Sequence, residues 1–179
     1  LAEIGDPRAV PHIVHLLGYN DLRETAQKAL LRLGKTAVRG LIASLDHWNK
    51  DVRANVAEIL GQIKDRSAVP DLLNKLEDSE EDPVVLVATC GALGQIGDSA
   101  SVPALIQKLR NRDTDRKVRA AAGEALGLIG HPQAVRPLIA SLDEEEVGQA
   151  AYNALVKMGK VAVPELIQAL TRNTAMMDL

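Results

Sequence analysis

One pattern fixes what this chain can fold into. Val10, Ile13, Val14 and Leu17 stand at relative positions 0, 3, 4 and 7, which is one face of a helix. The same four slots return from Val38, Val69, Val102, Val135 and Val163. All 24 of these slots hold Val, Ile or Leu, so the six segments are copies of one helix, helix A. A second pattern lies between them. Val52, Val56, Ile59, Leu60 and Ile63 occupy slots 0, 4, 7, 8 and 11, and small or apolar residues recur in those slots from Leu22, Val85, Val118 and Val147. This is helix B.

The copies of helix A start 28, 31, 33, 33 and 28 residues apart, and the differences fall mainly in the A-to-B turn, where surface loops accept insertions. Punctuation agrees with the pattern. Asp6-Pro7 and Ser99 read as caps and first-turn residues. Gly5, Gly34, Gly97, Gly130 and Gly159 close helices B, with Lys64 replacing glycine in the remaining copy. The acidic runs Asp78 to Asp82 and Asp143 to Glu146 precede helices B, and they read as solvated turns that offset the positive helix end. A hairpin of this size cannot bury its own apolar face, but a stack of hairpins can. The expected fold is all-α: a single α-solenoid array over 1–179, of about six stacked helical hairpins. The repeats run 6–34, 35–64, 65–97, 98–130 and 131–159. Residues 1–5 form the end of a truncated repeat, and 160–179 an incomplete final one.

The composition excludes several alternatives. The net charge of −3 gives no general attraction to nucleic acid or to an anionic membrane. Tyr19, Trp48 and Tyr152 are the only aromatic residues, and Phe is absent, so bases have little to stack on. Cys90 is the only cysteine, which excludes an intramolecular disulfide and suits a reducing, cytoplasmic setting. No apolar run reaches the ~18 residues of a membrane helix.

The phrases "SVPALIQKL" with "KVRAAAGEALGLIG", and "DPRAVPHIVHLL" after "LAEIG", resemble the HEAT-like repeats of the phycobilisome-lyase (E-Z) type across essentially the whole chain. The resemblance implies a right-handed superhelix with helices B on the concave side and helices A on the convex side. It also implies partner binding along the concave helices. The exposed helix B slots are then 2, 3, 6 and 10. The expected groove residues are Asn55 and Glu58, then Val87, Ala88 and Gly91, then Ala120, Ala121 and Glu124, and last Gln149 and Asn153. Its ends are polar and its middle is small and apolar, which suits a protein partner. Strong curvature, in which small residues only let neighbouring helices B touch, explains the same pattern. Arg23, Arg53 and Arg119 follow the first helix B apolar residue and are expected to bridge neighbouring repeats, while Leu86 and Gly148 depart from that rule. The helix B of repeat three, "PVVLVATCGALGQIG", is apolar nearly all round, so it is either deeply packed or a partner site.

No catalytic set emerges, and no metal or cofactor is expected. His12 and His15 lie three apart on one helix, but no third ligand stands at a spacing the sequence fixes, so they read as a solvated face. No histidine is followed by Glu, unlike the dyads of the deoxyhypusine-hydroxylase branch of these repeats. "GALGQIG" lies within a helix and is not a phosphate loop. Cys90 shares its slot with Ala57 and Gly123 and reads as a small buried side chain. Lys108, Arg110, Arg112, Arg116, Lys117 and Arg119 form a basic turn interrupted by Asp113 and Asp115. Trp48, beside His47, is either a binding anchor or a cover for the hairpin end.

The leading expectation is therefore a non-catalytic scaffold that binds a protein partner on the concave surface. The alternative is a phycobilin lyase-like enzyme or lyase subunit acting on a bilin-carrying protein, and nucleic acid is disfavoured. The chain opens with "LAEIG", the last five slots of a helix B, and ends in "TRNTAMMDL", where another helix B is expected to start. The open ends are expected to continue into a longer solenoid or to self-associate.

Overall fold

The computed structural model describes residues 6–177, and the reading of Leu1 to Gly5 as the end of a repeat, with Gly5 closing it, lies outside them. Helices alternate as expected. Helices A are α1 (Val10–Leu16), α3 (Val38–Ile42), α5 (Val69–Glu77), α7 (Val102–Arg110) and α9 (Val135–Ala140). Helices B are α2 (Asn20–Leu33), α4 (Lys50–Ile63), α6 (Pro83–Ile96), α8 (Arg116–Ile129) and α10 (Glu145–Met158). The described residues end in α11 (Val163–Met177). α11 runs straight through Thr171 to Met177 where a turn to a new helix B was expected. No glycine or proline interrupts this segment.

Each of these five helices A, and α11, is led in by a short 3-10 turn, capped by a side chain in four of the six cases. Asp6, Asp65, Asp98 and His131 accept from the backbone N–H two residues on. Ser99 is a first-turn residue, and Asp98 before it does the capping. Gly34, Gly97, Gly130 and Gly159 end helices B at positive φ, and Lys64 adopts the left-handed conformation in their place (φ 58°).

The apolar slots form one continuous core. Slots 0 and 3 of the first five helices A are buried, as are Leu30, Leu60, Leu93 and Leu126 on helices B. Curvature follows from unequal packing. α4, α6, α8 and α10 lie closely side by side, whereas successive helices A touch sparsely. The close approach has a specific cause. A Cβ added at Gly61 would lie 2.6 Å from the Ala92 Cα, one at Gly94 would lie 2.8 Å from the Ala125 Cα, and one at Gly127 would lie 2.6 Å from the Ala154 Cα. Glycine in slot 9 of one helix B thus seats on alanine in slot 7 of the next. The ladder is missing between α2 and α4, where Leu31 and Ile59 hold those slots, and these two helices make only sparse contact. Helices B are consequently the concave side.

Buried charge ties the repeats together. Arg53 donates from Nη2 to Glu81 Oε1 at 2.6 Å and from Nη1 to the His47 carbonyl at 2.7 Å, and Lys75 Nζ stands 3.3 Å from Glu81 Oε2. Arg119, only 4% exposed, forks onto both oxygens of Glu144 at 2.6 and 2.8 Å and donates from Nε to the Leu109 carbonyl at 2.9 Å. Arg53 and Arg119 bridge repeats as expected. Arg23 does not, for it bonds the Leu17 carbonyl and Asn20 of its own hairpin. The acidic runs are also not merely solvated turns: Glu81 is 8% exposed, because it must reach two cations at the repeat junction. Leu86 is buried in the slot where the arginine is missing. At Gly148 a Cβ would collide with the Leu142 carbonyl, so glycine fits there for lack of room.

Candidate functional site

The starts of α6 and α8 and the middle of α4 converge on the concave side. They bound a groove of ≈ 440 Å³ lined by Pro83, Val84, Val87 and Ala88, with Glu58, Asp82, Asp115 and Lys117 at its edges. Asp82 caps α6 by accepting from the Val84 N–H at 2.9 Å, and Asp115 caps α8 by accepting from the Lys117 N–H at 2.8 Å. The two caps fix the helix starts and with them the mouth of the groove. Lys50 Nζ also lies 2.8 Å from Asp82, and this pairing is the main reason the Asp82 carboxyl is held below its ordinary value.

The groove contains three of the sequence-predicted residues. Glu58 is exposed at its edge and Val87 is half-buried on its floor. Ala88 is a correction: it lines the groove but is only 8% exposed, because α6 is packed closely between α4 and α8 and leaves that slot little solvent. Farther along the concave side, Gly91, Ala120 and Ala121 are half-buried and Glu124 is exposed. Asn55 is half-buried and donates from Nδ2 to the Asp51 carbonyl. Gln149 and Asn153 are exposed and bond each other at 3.1 Å, at the α10 end and outside the groove lining. Both explanations of the small residues therefore apply, at different slots. Close helix packing accounts for Ala88, while Val87 and Gly91 stay open.

Sequence reasoning missed Val84. Its slot, one before the first helix B apolar residue, holds Asp21, Asp51, Lys117 and Glu146 in the other copies. A lone valine among charged residues was the available signal, and it is 52% exposed in the groove.

The groove is electrostatically uneven. Crowding of the concave side desolvates the Glu58 carboxyl and pushes its pKa up, against the pull of Arg23. No hydrogen bond or ion pair involves Glu58 or Glu124 among the described residues.

The other candidates resolve plainly. Cys90 is buried in the core and its thiol is pushed up to about 12 by desolvation, so it is not an available nucleophile. His12 and His15 are exposed, and His15 meets Tyr19 edge-on. Among the described residues no three His, Cys, Asp or Glu side chains gather to hold a metal. Arg119 leaves the basic turn for the interior, while Arg110, Arg112, Arg116 and Lys117 remain exposed. Trp48 covers nothing, for it is 81% exposed beside His47. No described helix is long and apolar enough to cross a membrane.

Known proteins place this geometry. The HEAT repeats family matches residues 38–113 and 102–176, more than three quarters of the chain. The chain is 35% identical over 75 residues to the phycocyanobilin lyase subunit beta of Thermosynechococcus vestitus, covering 41% of this chain and 35% of that protein. The complex of CpcE and CpcF of phycocyanin lyase from Nostoc sp. PCC7120 is similar with a TM-score of 0.55 at 25% identity, over 85% of this chain and 65% of that one. Human deoxyhypusine hydroxylase in complex with glycerol is similar in fold, with a TM-score of 0.59 at 22% identity over 88% of this chain and 64% of that one. The chain thus spans about a third of the length of the lyase subunit and just under two thirds of each of these structures. The family match over residues 38–113 and 102–176 agrees with the alternating A and B helices: the chain belongs to the HEAT repeat family.

Proposed function

We propose that this chain is a non-catalytic docking module that holds a protein partner along the concave face of helices B. The observation that carries this reading is the open apolar groove over α6, with Val84 exposed and Val87 half-buried on a helix that is otherwise mostly buried in the core. An apolar floor with charged edges is the layout of a protein interface. Rigidity supports the same reading, since Arg53 locks the α4 repeat to the α6 repeat on one side of the groove and Arg119 locks the α8 repeat to the α10 repeat beyond it. The test is capture of the native partner by the tagged chain, with Val87→Glu and Ala121→Glu as probes. Both variants should keep their helical circular dichroism and lose capture. Intact capture by both variants overturns the concave reading.

A second reading follows from the likeness to the phycocyanobilin lyase subunit. In it, the chain acts as a lyase subunit and the docked partner is a bilin-carrying protein. Mixing the purified chain with a bilin and recording the visible spectrum tests this reading, and an unshifted spectrum counts against it.

A further inference from the structure

The concave centre carries one arrangement that packing does not explain. Slot 6 holds Glu58 in α4, Gly91 in α6 and Glu124 in α8. Gly61, Gly94 and Gly127 sit against a neighbouring alanine backbone, but a Cβ at Gly91 would meet nothing within 4 Å. A glycine inside a helix costs stability relative to alanine. At Gly91 nothing within the chain accounts for that cost. The site is a notch in the α6 surface one helical turn beyond Val87 of the ≈ 440 Å³ groove, and slot 6 of the two neighbouring helices holds exposed carboxylates that make no ion pair among the described residues. The lining adds Asp82 and Asp115 against Lys117, while Lys50 is engaged with Asp82 and the Arg23 charge reaches Glu58, so four carboxylates stand against three cations. The balance is acidic around an apolar floor.

We propose that this notch receives an α-helical segment of the protein partner, with a small residue crossing over Gly91 and a basic residue on either side. The inference rests on the concave docking reading above and adds the chemistry of what docks. Charge complementarity selects the basic side chains, and the missing Cβ allows a partner backbone to come close. Geometry sets their spacing. Packed helices lie about 8–10 Å apart, so Glu58 and Glu124 stand roughly two such spacings apart. At about 1.5 Å per residue this corresponds to ~11 residues of a crossing helix, which returns to the same face after three turns.

The test uses fluorescein-labelled helical peptides and the whole chain. One peptide carries two Lys eleven residues apart with an Ala seam between them. A second replaces both Lys by Glu, and a third replaces the central Ala by Leu. By fluorescence anisotropy, the Lys peptide should bind at least tenfold tighter than either control, and more weakly as salt rises. The double variant Glu58→Lys/Glu124→Lys should reverse the preference between the Lys and Glu peptides. Gly91→Leu should weaken binding at least tenfold while its melting temperature stays at or above that of the parent. Equal binding of the Lys and Glu peptides, no binding of either, or unchanged affinity in these variants overturns the proposal. If Val87→Glu and Ala121→Glu abolish capture of the native partner while Glu58→Lys/Glu124→Lys leaves it intact, concave docking stands and the basic-helix inference falls.

Discussion

The glycine ladder makes a prediction in which one substitution changes sign between two slots. Gly127→Ala places a Cβ 2.6 Å from the Ala154 Cα and 2.7 Å from its Cβ, where ordinary carbon contacts lie at about 3.5–4.0 Å. Both obstacles belong to a helix backbone or are attached directly to it, so no rotamer change relieves the overlap. α8 and α10 must part by about 1 Å. Overpacking of this kind costs about 1–3 kcal/mol, and the helix-propensity gain of alanine returns up to about 1 kcal/mol. The net expectation is a loss of about 1–2 kcal/mol. Gly91→Ala makes the same chemical change on α6 into open space. It keeps the propensity gain alone, about 0.5–1 kcal/mol of stabilisation. The two variants should therefore differ by about 1.5–3 kcal/mol, or roughly 3–12 °C in Tm for a chain of this size. Urea denaturation followed by circular dichroism reads the difference as a shift in midpoint. A shift of both variants in one direction would refute the argument that slot 9, and not glycine content as such, sets how closely helices B pack.

Further expectations follow from the buried charges and the thiol. Arg119→Ala should cost about 2–3 kcal/mol, because it strands Glu144 and the Leu109 carbonyl at a repeat junction. Lys28→Ala, which breaks the exposed pair with Glu24, should stay within about 0.5 kcal/mol, and a thermal melt of the two variants compares them. At Glu81, burial pushes the pKa up, but Arg53, the Asp82 N–H and Lys75 outweigh it, and the carboxyl is held below its ordinary 4.5. Glu144 is lowered chiefly by its bonds to Arg119. Folded values below the unfolded one mean that both contributions are complete above 4.5 and fade as pH falls through the folded values. Tm should therefore drop on acidification below about pH 4.5, and Glu81→Gln should flatten that drop. Cys90 should resist an aromatic disulfide reagent at pH 8 in the folded chain and react on addition of denaturant, while prompt reaction without denaturant would contradict its burial.

Much of the architecture was legible because it rests on local periodicity. The 0, 3, 4, 7 spacing from Val10 onward and the closing glycines are short-range signals, and they gave the alternation of helices A and B correctly. The end was misread for the same reason. The expected turn after Leu170 was extrapolated from earlier copies, while the residues there carry no breaker and α11 continues. The acidic turns were read as solvated because sequence shows sign but not reach. Glu81 finds Arg53 across 28 residues, a pairing that only stacking of the repeats creates.

The groove divides along the same line. Its polar rim and small apolar middle were visible in slots 2, 3 and 6, since each slot is a fixed angle around a helix. Which of the small residues are open was not visible. Ala88 is buried and Gly91 faces empty space, although they are three residues apart on one helix. By itself the sequence determined an all-α repeat array with a shared core, because an apolar stripe on each helix must be covered by its neighbours. Tertiary structure alone decided where the array leaves a surface uncovered. That depends on how closely each pair of helices B approaches, down to a single Cβ at Gly61, Gly94 and Gly127, and no count along the chain contains that distance.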